Sequence, residues 1–303
     1  MTDAIHAANA DADAIAFAFA IANANANANA DAAATDPAGV PQPPSARRRA
    51  LDVLCLADPA LKAAQARALF AGLDSAVIDP GESIDAPAAL PGRPALPRLV
   101  PARQVPARSP FTRDGRAAML HAVTHIEFNA INLALDAVWR FNAMPAAYYR
   151  DWLRVASEEA LHFTLLREHL LTLGVDYGGF DAHDGLWAMT ERTAHDCTAR
   201  MALVPRTLEA RGLDAAPPMQ AKLRRAGDLR AAEILGVILR DEVGHVAIGN
   251  HWYRWLCARD GHDPVALYAE LAARHGAPRL RPPFNLPARL AAGFTEAEIA
   301  LLA

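Results

Sequence analysis

Apolar residues return at three- and four-residue intervals along four long stretches of the chain, the period of an amphipathic helix. These stretches cover residues 114–141, 146–173, 186–211 and 229–258. The breaks between them carry helix-ending residues. Asn142 to Pro145 turns the chain after the first stretch, Gly174 stops the second, Gly212 closes the third, and Gly227-Asp228 caps the start of the fourth. Pro205 falls inside the third stretch. It has no N–H for the carbonyl of Met201 and should kink or open that helix one turn before Glu209. Residues 215–226 read as a short helix of their own, and 264–275 as another.

Upstream, residues 47–73 also read as helical. Asp58-Pro59 is a helix start with proline at the first helical position, and Gly72 is the stop. The run Arg47-Arg48-Arg49 reads as a solvated face. Eight prolines between Pro80 and Pro110 exclude a helix or a central strand there, which predicts an extended segment wrapped on the helices. The pattern therefore predicts an all-α protein in four parts. Residues 1–45, with their Ala-Asn alternation, form a disordered tail. Residues 46–110 are a helical and Pro-rich extension, 111–260 a helix bundle, and 261–303 a C-terminal extension packed back on it.

Composition changes this picture little. The chain has 303 residues, of which 52% are apolar, ample for a core, and the net charge is −4 with both signs mixed. No basic face dominates, so nucleic acid is not indicated. No apolar run reaches the roughly 20 residues of a membrane span. The N-terminus lacks the positive region of a secretory leader. The three cysteines, Cys55, Cys197 and Cys257, are odd in number and far apart, which fits a reducing, cytoplasmic compartment without disulfides.

The candidate chemistry lies on the apolar faces. The fourth helix carries Asp241-Glu242-Val-Gly-His245, and the second carries Glu158-Glu159-Ala-Leu-His162. A Glu and a His three apart share one helical face. A buried carboxylate needs a proton or a cation. Glu127 precedes Glu159 by 32 residues, and Glu209 precedes Glu242 by 33. One unit thus occurs twice: a helix with a lone Glu, a turn, then a helix with Glu-x-x-His. Glu127 and Glu159 each lie about 23 Å from the turn between them, at matched heights in a hairpin. Four carboxylates and two imidazoles are the ligand set of a di-iron or di-manganese four-helix bundle. Glu127, Glu159, His162, Glu209, Glu242 and His245 are the candidate ligands, with the two motif glutamates bridging. The third helix also offers Glu191. It is too far along the axis to serve the same metals as Glu209, and the repeat spacing favours Glu209. Glu158 and Asp241 are candidates to hold the far nitrogen of a ligating His across the site. His125, His195 and Asp196 read as satisfied core or loop residues. The donor set suits iron, or manganese, better than zinc or copper.

With these residues in view, the chain resembles a bacterial ferritin-like family catalogued as domain of unknown function 455. The matching stretches are His125-Ile-Glu127, Glu159-Ala-x-His162-Phe, Ala182-His-Asp-Gly-Leu-Trp187, Leu208-Glu-Ala-Arg-Gly-Leu-Asp214, Asp241-Glu-x-x-His-Val246 and Pro283-Phe-Asn285, spread over residues 50–294. The resemblance implies a ferritin-like four-helix bundle with a di-iron site, and it carries no reaction with it. A more distant likeness to the tRNA-hydroxylating members of that superfamily suggests hydroxylation, by analogy of fold alone. The expectation is a di-iron oxidoreductase that uses O2 on an unidentified substrate, with a homo-oligomer left open. The alternatives are an iron-handling protein with ferroxidase-like activity and a metal-free helical scaffold.

Overall fold

The computed structural model describes residues 43–302 apart from Ala86 and Ala88, so the expectation for the N-terminal tail falls almost wholly outside it. The regular structure of the described residues is all helical, with no strand and one isolated bridge, Leu99 to Ala182. Helix α1 is Ala46–Leu54 and α2 is Pro59–Ala71. Asp58 caps α2 by accepting from the Leu61 amide, as the Asp58-Pro59 pair predicts. The proline-dense segment that follows is extended apart from tight turns, among them a 3-10 turn from Ala102 to Gln104.

Helix α3, Arg113–Arg140, starts at Thr112, whose hydroxyl accepts from the Gly115 amide. Helix α4, Ala146–Thr172, starts behind Pro145. The two form the most extensive helix pair in the molecule, with α1 laid on α3 and α2 on α4. Nearly every residue of α3 from Glu127 to Trp139 is buried, because neighbours cover it on all sides. The core there holds Phe128, Tyr148, Tyr149, Trp152 and Phe163. Each fully buried large apolar side chain contributes roughly 2–3 kcal/mol.

Arg47 corrects the sequence reading. It is buried at 1% exposure, where a solvated face was expected. Its guanidinium donates to the carbonyls of Trp139 at 2.7 Å and Glu82 at 2.7 Å, and more weakly to Val138 at 3.3 Å. Those carbonyls include the unpaired end of α3, and the arginine satisfies them.

The third apolar stretch is not one helix. It divides into α5, Gly185–Arg192, and α6, Cys197–Leu203, which Asp196 caps by accepting from the Ala199 amide. A π-helical turn follows, Val204–Glu209. The chain then continues as α7, Ala210–Arg225. Pro205 does open the helix before Glu209, as expected. Gly212 does not end it, however, and 215–226 is not a separate helix. Ala210, Leu213 and Ala216 bury one face of α7, and that burial carries the helix through Gly212 and through Pro217-Pro218.

Helix α8, Leu229–Asp260, is capped by Asp228, packs on α4, α6 and α7, and ends at Gly261 in a left-handed conformation (φ 75°). Three short helices complete the chain: α9, Pro264–Arg274, α10, Leu286–Ala291, and α11, Glu296–Ala300. The C-terminal segment packs back on α7 and α8. Arg289 reaches Asp214 at 2.6 Å, and Phe294 and Ile299 share a core with Ala210, Leu213 and Val246. Among the described residues no helix is long and apolar enough to cross a membrane.

Candidate metal centre

Three long helices and the π-turn meet around a buried polar cluster. Glu127 enters from α3, Glu159 and His162 from α4, Glu242 and His245 from α8, and Glu209 is the last residue of the π-turn. Each of these side chains is buried, none more than 7% exposed. Glu127, Glu159, His162 and Glu242 place four potential ligand atoms within 4.8 Å of one another, a cluster that could hold a metal ion.

The two imidazoles are arranged alike. His162 turns Nδ1 inward, 3.1 Å from Glu127 Oε2 and 3.3 Å from Glu159 Oε2. His245 also turns Nδ1 inward, 2.8 Å from Glu159 Oε1 and 3.9 Å from Glu242 Oε2. Glu159 thus lies between the rings, one oxygen toward each. The outer nitrogens face carboxylates of the opposite helix. His162 Nε2 is 3.1 Å from Asp241 Oδ2, and His245 Nε2 is 2.7 Å from Glu158 Oε2. An ionised carboxylate only accepts, so each Nε2 carries the proton and donates. In a neutral ring the inward Nδ1 is then a bare lone pair facing carboxylate oxygens. Lone pairs at that distance repel unless a proton or a cation lies between them.

The unpaired atoms point the same way. Both oxygens of Glu209 and Oε2 of Glu242 have no hydrogen-bond partner among the described residues. Glu159 Oε1 and His245 Nδ1, although close, are out of line for a hydrogen bond. Buried polar atoms without partners are rare in folded proteins. Burial, reinforced by the charge of Glu159, pushes Glu127 and Glu209 each up to about 8 and Glu242 well above its usual range. Burial opposes ionisation of Glu159 too, but the two imidazoles beside it outweigh that and hold it low. His162 and His245 are correspondingly raised against their own burial, by Asp241, Glu127 and Glu159 for the first and by Glu159 and Glu158 for the second. Hydrogen bonding from His162 holds Asp241 low. Without a cation the site keeps protons on carboxylates that a metal could otherwise take as ligands. Hard oxygens with two imidazoles fit a first-row metal.

Glu191 stands apart. It is exposed and accepts from the Trp187 indole at 3.0 Å. His125 hydrogen-bonds Tyr177 at 2.9 Å and Asn129 at 3.0 Å as a satisfied core residue. Arg206, beside Pro205, is a residue the pattern does not single out. It is 3% exposed and paired with Glu298 at 2.7 Å, and the rings of Tyr253, Tyr268 and Phe294 surround it. A charged residue next to a helix-breaking proline is the only trace of it in the sequence.

Compared with known proteins, residues 55–300 match the model of a family described as protein of unknown function (DUF455). A Haemophilus influenzae protein, described only as uncharacterized, is 53% identical over 213 residues, covering 68% of this chain and 74% of its own. No solved structure matches.

Proposed function

Because the chain belongs to the DUF455 family, whose description assigns no reaction, we propose a function from the buried site itself: a di-iron carboxylate oxidoreductase that activates O2 on an unidentified substrate. The observation that carries the reading is the pair of inward Nδ1 atoms facing opposite oxygens of Glu159. In this reading His162 and Glu127 would help hold one metal and His245 and Glu209 the other, with Glu159 and Glu242 available to both. Asp241 and Glu158 fix the tautomer and aim of the rings by accepting from Nε2. The helices α3, α4 and α8, with the interrupted α5–α7 segment, make up a ferritin-like four-helix bundle. Its repeated Glu and Glu-x-x-His units support that assignment.

Two reduced irons bound there would supply electrons to O2. The chain's own contributions are distinct from that. The apolar shell of α3 and α4 keeps bulk water out. The acidic lining sets a charge that two divalent ions neutralise. The outer carboxylates hold the proton of each ring on Nε2 and keep Nδ1 turned inward.

The reading predicts about two irons per chain, by mass spectrometry of protein from iron-supplemented cells, with Glu242→Ala losing them. Absence of stoichiometric metal in the wild type would leave a helical scaffold as the better account. If iron is present, O2 uptake by the reduced protein separates the remaining alternatives. Uptake that ends once ferrous iron is oxidised, whatever organic compound is supplied, indicates iron handling.

A further inference from the structure

Glu209 differs from the other proposed ligands in how it is held. Neither of its carboxylate oxygens has a hydrogen-bond partner among the described residues. Its place is therefore set by its backbone, which is the end of a π-helical turn. Such a turn is a rare geometry that needs support from outside itself. Pro205 starts it by withholding an N–H, and contacts from other elements then keep it in shape.

Those contacts come from α8 and from the C-terminal part of the chain. Pro205 lies against Gly249 of α8, so close that a Cβ there would sit 2.5 Å from the proline ring. Thr207 donates to the carbonyl of Ala202 at 2.8 Å, five residues back, and its hydroxyl meets the Tyr268 phenol at 2.9 Å. Arg206 donates to Asn250 on α8 and to Glu298 on α11, the latter at 2.7 Å. Glu298 is itself 6% exposed and accepts from Arg254 at 2.8 Å and from the Thr295 amide at 2.8 Å. Asn250 closes the arrangement by donating to the Ala292 carbonyl at 2.8 Å. The hydrogen bonds at 206 and 207 thus reach residues 250, 268 and 298, and two of these three lie in the C-terminal extension.

We infer that Glu298 is a positioning residue for the metal centre: through Arg206 it clamps the π-turn that presents Glu209. The inference rests on the metal reading above. It gives the C-terminal extension a task within the site, although none of the candidate ligands lies in that extension. Cutting the Arg206–Glu298 pair lets the turn relax and withdraws Glu209 from one metal while leaving the α4 ligands in place.

The test compares two variants of the full chain. Glu298→Ala removes the charge partner of Arg206 and leaves it only Asn250. Asp214→Ala strands Arg289, which is equally buried and tethers the same C-terminal segment at a different point. Both lose a buried ion pair, so a merely structural role affects them alike. Cobalt(II) titration, followed by visible absorption, reads metal binding. Amide hydrogen exchange over residues 204–210 in metal-free protein reads the turn. Glu298→Ala is expected to keep one cobalt, weaken the other about 10- to 100-fold, and speed exchange over 204–210. Asp214→Ala keeps both cobalts. Glu298→Gln, which retains an acceptor for Arg206, recovers most of the binding. Two tight cobalts in Glu298→Ala, or equal losses in both variants, would overturn the inference. Wild type that binds no cobalt defeats the metal reading instead, and unchanged exchange over 204–210 then defeats the clamp separately.

Discussion

Lys62 shows at the level of one side chain what the interior of this protein demands. Its ammonium is fully buried and donates to Asn132 Oδ1 at 2.6 Å and to the Gly92 carbonyl at 2.7 Å. Burial, with the charge of Arg93 adding to it, brings its pKa down to about 7. The unfolded chain therefore binds this proton more tightly than the folded one between pH 7 and the ordinary lysine value near 10.5. Unfolding takes up a proton across that window, so stability attributable to Lys62 rises with pH through it, and the full penalty remains below pH 7. A tenfold weakening of proton affinity is worth about 1.4 kcal/mol. Urea unfolding from pH 7 to pH 10 should show wild type gaining a few kcal/mol relative to Lys62→Met. Parallel curves would mean that the amine is not titrating in the folded state. Nothing in the sequence around Lys62 marks this role. Its acceptors lie 30 and 70 residues away, and the burial of Arg47 is illegible for the same reason. The ligand-type residues are legible because their spacing is local: three residues within each Glu-x-x-His motif fixes a shared face before any tertiary contact exists.

Among the elements, the π-turn is the one that brings Glu209 into the buried cluster. A disturbance of the helix there is readable from Pro205, and the form and extent of the turn are not. The break at Thr193–Asp196 is hidden because the apolar period continues across it, although Asp196 is an ordinary N-cap. The run of α7 through Gly212 depends on burial against the C-terminal segment, which no local pattern encodes. The close approach of Gly249 to Pro205 leads to a prediction at this scale. Gly249→Ala puts a methyl 2.5 Å from one ring carbon and 2.6 Å from the next. Neither the proline ring nor α8 can yield without shifting backbone. The substitution should cost about 1–3 kcal/mol by overpacking. The same change at Gly244, where a Cβ meets nothing within 4 Å, carries no such clash. Chemical denaturation of Gly249→Ala beside Gly244→Ala checks this, and equal stability of the two would remove the close contact from the account.

For the molecule as a whole, the site opposes stability in the absence of metal. Glu127, Glu209 and Glu242 are buried together, with oxygens among them that have no partner among the described residues, an arrangement that disfavours the folded state unless a cation offsets it. Metal that binds only the folded chain stabilises it by about 2.7 kcal/mol at a hundredfold excess over its dissociation constant, which raises the melting temperature by roughly 5–10 °C for a chain of this size. Anaerobic ferrous iron should produce that rise in wild type. Glu209→Leu should melt no lower than wild type when both are metal-free, and should gain less from iron. A metal-free Glu209→Leu that melts well below wild type would show that the carboxylate is a structural asset and not a ligand held at a cost.

The crossed contacts between α4 and α8 have a consequence for how this fold can change over generations. His162 is held by Asp241 and His245 by Glu158, so each helix carries one ring and the acid that steadies the other. Sliding one helix past its neighbour by a single turn, about 5.4 Å, breaks both contacts at once. The centre therefore works as a ruler that fixes where the two helices stand. Insertions and deletions are free to accumulate in the exposed connections, where length costs little. The five-residue intervals 158–162 and 241–245 admit none.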